Sequence, residues 1–314
     1  MNGNKIRDGL FGVCAGDALG LPFEGEPRTV MDRYPAAGMT GLEAYGLPPG
    51  TWSDDSSLTF CLAESLCEGY DLDDIGRRFQ KWLFEGYWTP FGRAIGMGLT
   101  TVRAIERLRA GTDPGRSGER GEYSNGNGSL MRILPLAFFL AGRDDDADTR
   151  FKMIHEVSAI THAHPRSLIT CGIYVTFALA LLRGLGPRGA YDRTREETIH
   201  RYRQEPFKSE LDHFARILNS DVSLLERREI SSSGYVLHTL EASLWCLLNH
   251  GDYASTVLEA VNLGEDTDTT GAVAGGLAGI LYGYEGIPRE WIDVILRGED
   301  IEDLATRLDK SLKR

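Results

Sequence analysis

Apolar residues recur at helical spacing almost throughout this chain, and that periodicity limits the fold more than any other feature. Five segments carry apolar side chains every three or four residues, which is the signature of one buried helix face. Their stripes are Leu58, Cys61, Leu62 and Leu66; Ile75, Phe79, Trp82 and Leu83; Val102, Ile105 and Leu108; Ile169, Ile173, Phe177 and Leu181; and Leu237, Leu240, Leu244 and Leu247. Alternating segments typical of strands are nearly absent. The sequence therefore predicts an all-α fold of about a dozen helices.

The organisation along the chain indicates one domain. A length of 314 residues suits one large domain or two small ones, and no shift in composition marks a boundary. We therefore expect a single domain over residues 1–314. A Gly-, Ser- and Asn-rich stretch at 111–128 predicts a long loop, and long loops in compact domains often carry function.

The charge balance excludes several classes of partner. The chain has 34 Lys and Arg against 46 Asp and Glu, a net charge of −12. This disfavours nucleic-acid binding and attachment to anionic membranes, but it suits a protein that holds divalent cations on carboxylates. The longest apolar runs, at 134–141 and 171–182, are shorter than the ~20 residues that span a bilayer. Five scattered cysteines without a C-x-x-C pair predict a reducing, cytoplasmic environment.

Two segments place hydroxyl and paired carboxyl groups directly before a helix. In the first they are Ser53, Asp54 and Asp55, and in the second they are Asp266, Asp268 and Thr269. One capping acid is common at such a position, because it accepts hydrogen bonds from free backbone N–H groups and favours the helix dipole. Two acids with hydroxyls exceed what a cap uses, although capping alone stays an alternative.

Four carboxylates would converge if these two helix starts faced each other. Their repulsion would be costly without cations between them. Oxygen donors of this kind suit Mg²⁺, Mn²⁺ or Ca²⁺ rather than zinc, and a pair of metals about 3.5–4 Å apart would fit.

The helix after the second motif consists largely of small residues. Residues 271–279 include four glycines, each of which costs ~1 kcal/mol relative to alanine inside a helix. This predicts that another backbone or a ligand packs tightly there, and helix–helix contact alone is sufficient to explain it.

A third motif runs from Asn125 to Arg132. Glycines that permit positive φ, followed by a helix start, would cluster N–H donors in a way that binds phosphate, and Arg132 would add positive charge. A simple turn is the alternative, and the Gly-Lys-Ser/Thr of a Walker A loop is missing.

These motifs together resemble the ADP-ribosylglycohydrolases, the family of the dinitrogen-reductase-activating glycohydrolase and the ADP-ribosyl-arginine hydrolases. The similarity runs nearly end to end. The matching segments are Gly16-Asp17-Ala18-Leu19-Gly20 with Glu24, Thr51-Trp52-Ser53-Asp54-Asp55, Gly126-Asn127-Gly128-Ser129-Leu130-Met131-Arg132, Thr161-His162, Gly234-Tyr235-Val236 with Thr239-Leu240, and Asp266-Thr267-Asp268-Thr269.

The resemblance implies a compact, single-domain orthogonal helical bundle with two Mg²⁺ (or Mn²⁺) ions. The implied metal ligands are Ser53, Asp54, Asp55, Asp266, Asp268 and Thr269. The implied catalytic residues are Glu24 and Asp55. The implied substrate-binding residues are Asn125, Gly126, Asn127, Gly128, Ser129, Met131, His162 and Tyr235.

The implied reaction is hydrolysis at the anomeric carbon of an ADP-ribosyl group. We favour the N-glycosidic bond to protein arginine, with an ADP-ribosylated protein or small molecule as substrate and ADP-ribose as product. Glu24 or Asp55 would act as general acid or base. The alternatives are another linkage, such as O-glycosidic serine or a small-molecule conjugate, a phosphoester or nucleotide hydrolase, and a non-catalytic ADP-ribose-binding protein.

One position departs from the family pattern. Many relatives carry an Asp-Ile-Gly turn before a Thr-Thr helix, where this chain has Ala94-Ile95-Gly96 ahead of Thr100 and Thr101. A carboxylate that helps act on the ribose would then be missing, which leaves the linkage open.

Overall fold

The structure is a computed structural model that describes residues 5–42 and 45–313. Within these residues it contains sixteen α-helices, several 3₁₀ turns, isolated β-bridges and no strand, which confirms the predicted all-α class. The helices are α1 (Lys5–Gly20), α2 (Arg28–Arg33), α3 (Asp54–Leu66), α4 (Leu72–Glu85), α5 (Leu99–Arg109), α6 (Pro114–Ser117), α7 (Leu134–Ala141), α8 (Ala147–Ala159), α9 (Pro165–Leu182), α10 (Pro187–Arg201), α11 (Ala215–Leu218), α12 (Val236–Asn249), α13 (Tyr253–Asn262), α14 (Thr267–Tyr282), α15 (Arg289–Ile292) and α16 (Gly298–Leu312).

The five apolar stripes lie on α3, α4, α5, α9 and α12. Apart from Val102, their residues belong to or pack against one buried hydrophobic cluster that draws on helices from α1 to α16. Trp52 is fully buried in this cluster and donates its indole N–H to the carbonyl of Leu296 at 3.0 Å, which ties the start of α3 to the C-terminal region. The assignment of residues 1–314 to a single domain stays a prediction.

Two sequence expectations about segments need correction. The stretch at 111–128 is not a continuous loop, because it contains α6 and the start of a 3₁₀ turn at Asn127–Ser129. The apolar segment at 171–182 is also longer than predicted, since it belongs to α9, which by length and composition alone is apolar enough to cross a bilayer. In this fold α9 is a core helix, and 83% of it is buried inside the protein.

The backbones of α1 and α14 lie antiparallel and in contact. A β-carbon on Gly12 would lie 2.3 Å from the carbonyl oxygen of Gly275, and one on Gly16 would lie 2.1 Å from that of Gly271. The predicted tight packing against the small-residue helix is therefore confirmed, and the partner is the glycine row of α1. Helix–helix contact accounts for these glycines without a ligand.

The same helix pair brings the two acid motifs together. At the end of α1, a β-carbon on Gly20 would lie 2.3 Å from the carbonyl of Thr267, whose hydroxyl donates back to the Gly20 carbonyl at 2.8 Å. This places the start of α14 against the end of α1. The start of α3 joins the same corner, since the backbone N–H of its N-cap Ser53 donates to Asp17 of α1 at 3.0 Å.

Candidate active site

Buried carboxyl groups converge where α1, α3 and α14 meet. Oxygens of Asp17, Asp55 and Asp268 lie within 4.8 Å of one another, and each side chain is almost completely buried. Asp54 and Asp266 line a cavity that adjoins this group. The structure therefore brings the predicted acids together and adds Asp17, which the sequence analysis did not assign to the site.

The hydroxyls of both motifs meet on the carboxylate of Asp55. Its Oδ2 accepts hydrogen bonds from Ser53 Oγ at 3.0 Å and from Thr269 Oγ1 at 3.4 Å. Its Oδ1 is buried and has no hydrogen-bond partner among the residues that the structure describes. A buried polar atom left unsatisfied is costly, and a bound cation would satisfy it.

Burial and mutual repulsion disfavour the charged form of these acids. Burial raises the pKa values of Asp54, Asp55 and Asp268 well above the ordinary range, and nearby carboxylates raise them further. The pKa of Glu24 is raised by burial and by the charge of Asp266. A positive charge among these oxygens would offset both effects. The donors therefore fit a hard divalent cation, while their individual assignment as ligands stays a prediction.

A cavity of about 260 Å³, the central cavity, lies over this cluster. It is lined by Glu24, Asp54, Gly96, Gly98, Leu99, Thr100, Thr101, Gly126, Asn127, Gly128, Met131, His162, Gly234, Asp266, Asp268 and Thr269. Ser53 and Asp55 are not part of this lining and are each 1% exposed. The cavity thus carries residues from all of the predicted motifs on one surface.

The third motif, Asn125 to Arg132, forms a glycine loop that lines the cavity, but its glycines are not needed for the positive φ that the sequence suggested. Neither Gly126 nor Gly128 adopts a positive φ, so that expectation was wrong. Glycine is needed at 128 for space, since a β-carbon there would lie 2.8 Å from Thr101 Oγ1 and 2.9 Å from the His162 ring. Asn127 ties the loop to the acids by donating its side-chain amide to Asp266 Oδ2 at 2.8 Å.

Two residues of this loop face away from the cavity. The Ser129 hydroxyl accepts a hydrogen bond from Ser158 at 2.9 Å in the interior. Arg132 is fully buried over the Phe79 ring, donates to the carbonyl of Gly128, and has its pKa lowered by burial to about 10. The expectation that Arg132 faces a phosphate was therefore wrong, because it supports the loop from behind.

His162 lines the central cavity as a neutral imidazole. It is 2% exposed, and its Nδ1 shares a hydrogen bond with Thr161 Oγ1 at 2.8 Å. Burial and the charge of Arg132 lower the pKa of His162 to about 3. The ring is therefore uncharged near neutral pH.

A second cavity of about 430 Å³, the tyrosine arm, shares Gly126 and Gly234 with the central cavity. Its lining consists of Glu122, Tyr123, Asn125, Gly126, Arg166, Gly234 and Tyr235. The Tyr235 hydroxyl accepts a hydrogen bond from Arg166 at 3.1 Å. Asn125 and Tyr235 thus lie beside the central cavity and not in it.

A second group with the ligand types of a metal site lies next to the tyrosine arm. Donor atoms of Glu122, His164 and Glu210 lie within 4.8 Å of one another. Arg166 already binds Glu122 at 2.9 Å and Glu210 at 2.8 Å. Its guanidinium supplies the positive charge that these carboxylates require.

A third cavity of about 380 Å³, the acidic arm, shares Glu24, Gly234 and Asp266 with the central cavity. It is lined by Glu24, Gly25, Ser233, Gly234, Glu265 and Asp266. Gly25 N–H donates to the Glu265 carbonyl, and Glu265 N–H donates to the Glu26 carbonyl, both at 2.7 Å. These two backbone bonds hold the Glu24 and Glu265 segments at a fixed separation.

The position of Ala94 lies just outside the central cavity. Ala94 is partly buried and packs against the hydrophobic core. Two residues later, Gly96 approaches the acids so closely that a β-carbon there would lie 2.5 Å from Asp54 Oδ1. The segment from Ala94 to Gly96 therefore leads directly into the cavity wall.

An all-α chain that gathers carboxylates and hydroxyls at two helix starts beneath a cavity has the oxygen donors of a hydrolase site that could hold divalent cations. This chain belongs to the ADP-ribosylglycohydrolase family, whose sequence profile matches residues 2–314. The resemblance seen in the motifs is therefore confirmed.

Individual relatives agree over most of their lengths. The chain is 31% identical to the ADP-ribosylarginine hydrolase Tri1 of Serratia proteamaculans (strain 568), covering 97% of this chain and 79% of that protein. It is 30% identical to the ADP-ribosyl-[dinitrogen reductase] glycohydrolase of Rhodospirillum rubrum, covering 93% and 92%. A solved structure of an ADP-ribosylglycohydrolase-related protein complex superposes with a TM-score of 0.80 at 30% identity, covering 99% of this chain and 98% of that one.

Proposed function

We propose that this chain hydrolyses the N-glycosidic bond between ADP-ribose and a protein arginine, using two Mg²⁺ or Mn²⁺ ions. The observation that most supports this proposal is the Oδ1 of Asp55, which is buried without a hydrogen-bond partner among the described residues and lies within a convergent set of carboxylates beneath the central cavity. The names of the Serratia and Rhodospirillum relatives, which act on ADP-ribosylarginine and on ADP-ribosylated dinitrogen reductase, support the reaction type.

The residues that would hold the metal come from both motifs. They are Ser53, Asp54, Asp55, Asp266, Asp268 and Thr269. Bound there, the metal would orient the ribose hydroxyls and lower the pKa of a bound water. Asn127 holds Asp266 in place through its amide, and the Thr269 hydroxyl does the same for Asp55.

The two arms give the substrate a direction. The acidic arm, whose charged residues are all carboxylates, would repel the anionic diphosphate more strongly than the tyrosine arm, where Arg166 offsets the charge of Glu122. The ADP portion therefore extends toward Tyr235, with Gly128 and His162 beside the sugar. The leaving group then faces Glu24 and Glu265, where a guanidinium would find complementary charge.

Glu24 is the better placed of the two predicted proton-transfer groups. It lines both the central cavity and the acidic arm, so it borders the path of the leaving group. Its pKa is raised by partial burial and by the charge of Asp266, which is the direction that a proton donor to the departing nitrogen requires. Asp55 lies outside the cavity lining, hydrogen-bonded to Ser53 and Thr269, which suits a ligand role.

Release of free ADP-ribose from an ADP-ribosyl-arginine peptide, with Mg²⁺ and then with excess EDTA, tests the proposal. We expect release with Mg²⁺ and none with EDTA. A serine-linked peptide and a panel of nucleotides and phosphoesters run in parallel. Release of ADP-ribose from the serine peptide alone would show that the enzyme cleaves the serine linkage and not the arginine linkage. Release of phosphate would show that it is a phosphoester or nucleotide hydrolase. Calorimetric ADP-ribose binding without turnover would identify a binding protein.

A further inference from the structure

Asp17 occupies a position between the two helices that carry the predicted ligands. It is completely buried on α1, between Gly16 and Gly20, which both contact the backbone of α14. Its carboxylate points toward α3. A single side chain therefore lies at the junction of the two halves of the site.

The oxygens of Asp17 are committed to the first turn of α3. Both accept the backbone N–H of Ser53 at 3.0 Å, and Oδ2 also accepts the N–H and the hydroxyl of Ser56 at 3.0 and 2.6 Å. Carboxylates that accept several N–H groups at a helix start act as caps, and the helix dipole strengthens them. Here the cap comes from a different helix, 36 residues earlier in the chain.

This arrangement transmits the position of α1 to the ligand turn. Asp17 accepts the backbone N–H of Ser53, the first predicted ligand of this turn. The other two predicted ligands, Asp54 and Asp55, directly follow Ser53 in the sequence. Asp268 is placed relative to α1 by the contact between Gly20 and Thr267. The distance between the two ligand-bearing turns thus depends on Asp17 on one side and on the glycine row on the other.

We propose that Asp17 is a positioning residue that sets the affinity of the metal centre by holding the Ser53–Asp55 turn, without being a metal ligand itself. This inference rests on the proposed metal centre. The hydrogen bonds of Asp17 support this role, because the N–H of Ser53, shared between both oxygens, and the N–H and hydroxyl of Ser56 occupy about three of the roughly four lone-pair sites of the carboxylate. Residues that orient metal ligands typically change metal affinity ~10- to 100-fold when removed.

Three variants separate this role from direct ligation and from loss of charge. Asp17→Asn removes the charge and part of the accepting capacity. Ser56→Ala removes one donor to Asp17 and changes no charge. Ser65→Ala is the matched control, since Ser65 is equally buried on α3 and donates to Asp74 at the same 2.6 Å, at the far end of the helix.

The measurement is calorimetric titration of Mn²⁺ into the metal-free protein, with electron paramagnetic resonance of the saturated samples. We expect Asp17→Asn to weaken Mn²⁺ binding by ~10-fold or more and Ser56→Ala by a few-fold, with Ser65→Ala unchanged. The number of ions bound at saturation stays at the wild-type value, and the Mn²⁺ spectrum of Ser56→Ala changes because the ligand turn has moved.

Loss of one bound ion in Asp17→Asn would identify Asp17 as a ligand and overturn the proposal. So would wild-type affinity in both Asp17→Asn and Ser56→Ala. If Asp17→Asn does not fold, Ser56→Ala decides the outcome alone. Failure of the wild-type protein to bind Mn²⁺ would instead contradict the proposed function, so the two failures are distinguishable.

Discussion

A β-carbon on Gly16 would lie 2.1 Å from the carbonyl oxygen of Gly271, so the backbones of α1 and α14 touch where these two residues meet. The obstacle is backbone on both sides, which cannot rotate away as a flexible side chain would. The spacing between Asp17 and Asp268 therefore depends on the absence of side chains along this contact.

Gly16→Ala should lower the free energy of unfolding by about 1–3 kcal/mol or more, because the helices must separate. Because the 2.1 Å approach is to backbone, we expect the loss at the upper end of this range, where it exceeds the ~1 kcal/mol that alanine contributes to helix stability. Urea unfolding measures it. Gly76→Ala on α4 is the control, since its β-carbon would meet Leu108 at an ordinary 3.5 Å, and we expect it to be neutral or slightly stabilising. Equal stability of the two variants would contradict the backbone contact.

The parts of this structure that follow from sequence are those with a local pattern. The apolar stripe on α3 repeats at helical spacing. Residues Ser53 to Asp55 indicate a helix start and contain more acids than a helix cap requires. Tight packing on α14 is equally local, because only close contact explains repeated glycines at 271, 275 and 279.

The parts that do not follow depend on contacts between distant segments. Asp17 is one acid in a helix of small residues, and its partners Ser53 and Ser56 lie 36 and 39 positions away. Arg132 follows the glycine loop directly, yet the chain turns it toward Phe79 on α4. Its position next to the loop in the sequence suggested contact with a bound phosphate. In the structure its side chain is instead directed into the core, where it is fully buried.

Asp268→Asn should abolish ADP-ribose release while making the metal-free protein more stable. The change removes a predicted ligand, but it also removes a buried carboxyl whose pKa is raised by burial and by Asp55. We expect a gain of about 1–2 kcal/mol in the free energy of unfolding in EDTA. Urea titration and the release assay measure the two effects. Asp192→Asn, at an exposed site on α10, should change stability by less than ~0.5 kcal/mol.

Turnover in Asp268→Asn at the wild-type rate would refute the ligand assignment. A lower free energy of unfolding of this variant in EDTA would show that repulsion among the buried carboxylates does not destabilise the metal-free protein.

Glu265→Gln should raise KM for an ADP-ribosyl-arginine peptide by about two- to fivefold and leave kcat nearly unchanged. Glu265 is exposed on the acidic arm, and single exposed charge pairs contribute ~0.2–1 kcal/mol. The effect should shrink at high ionic strength, because salt screens exposed charges. ADP-ribose itself should bind the variant with wild-type affinity in calorimetry, since it lacks the guanidinium.

Glu285→Gln is the matched control for this prediction, because Glu285 is exposed and lies outside the lining of all three cavities. An unchanged KM in Glu265→Gln, with the wild type active on the arginine peptide, would show that the leaving group does not pass the acidic arm.

Metal binding should stabilise the protein more at about pH 7.5 than at about pH 5. Burial raises the pKa of Asp17 to about 6, above the ~3.9 of an aspartate in an unfolded chain. A group with a raised folded-state pKa contributes its stability below about pH 3.9 and loses it as the pH rises through about 6. Asp54, Asp55 and Asp268 shift in the same direction.

The metal-free protein therefore carries its unfavourable buried charge at about pH 7.5, where a divalent cation relieves it, whereas protons already do so at about pH 5. Thermal unfolding with and without saturating Mn²⁺ at both pH values gives the difference directly. Titratable groups far from the acids affect Tm equally with and without Mn²⁺, so their contributions cancel in that difference. His155 is one such group, and its pKa is lowered by burial to about 4. A metal-induced increase in Tm that is equal at the two pH values, or larger at about pH 5, would show that Asp54, Asp55 and Asp268 are not the carboxyl groups that the metal engages.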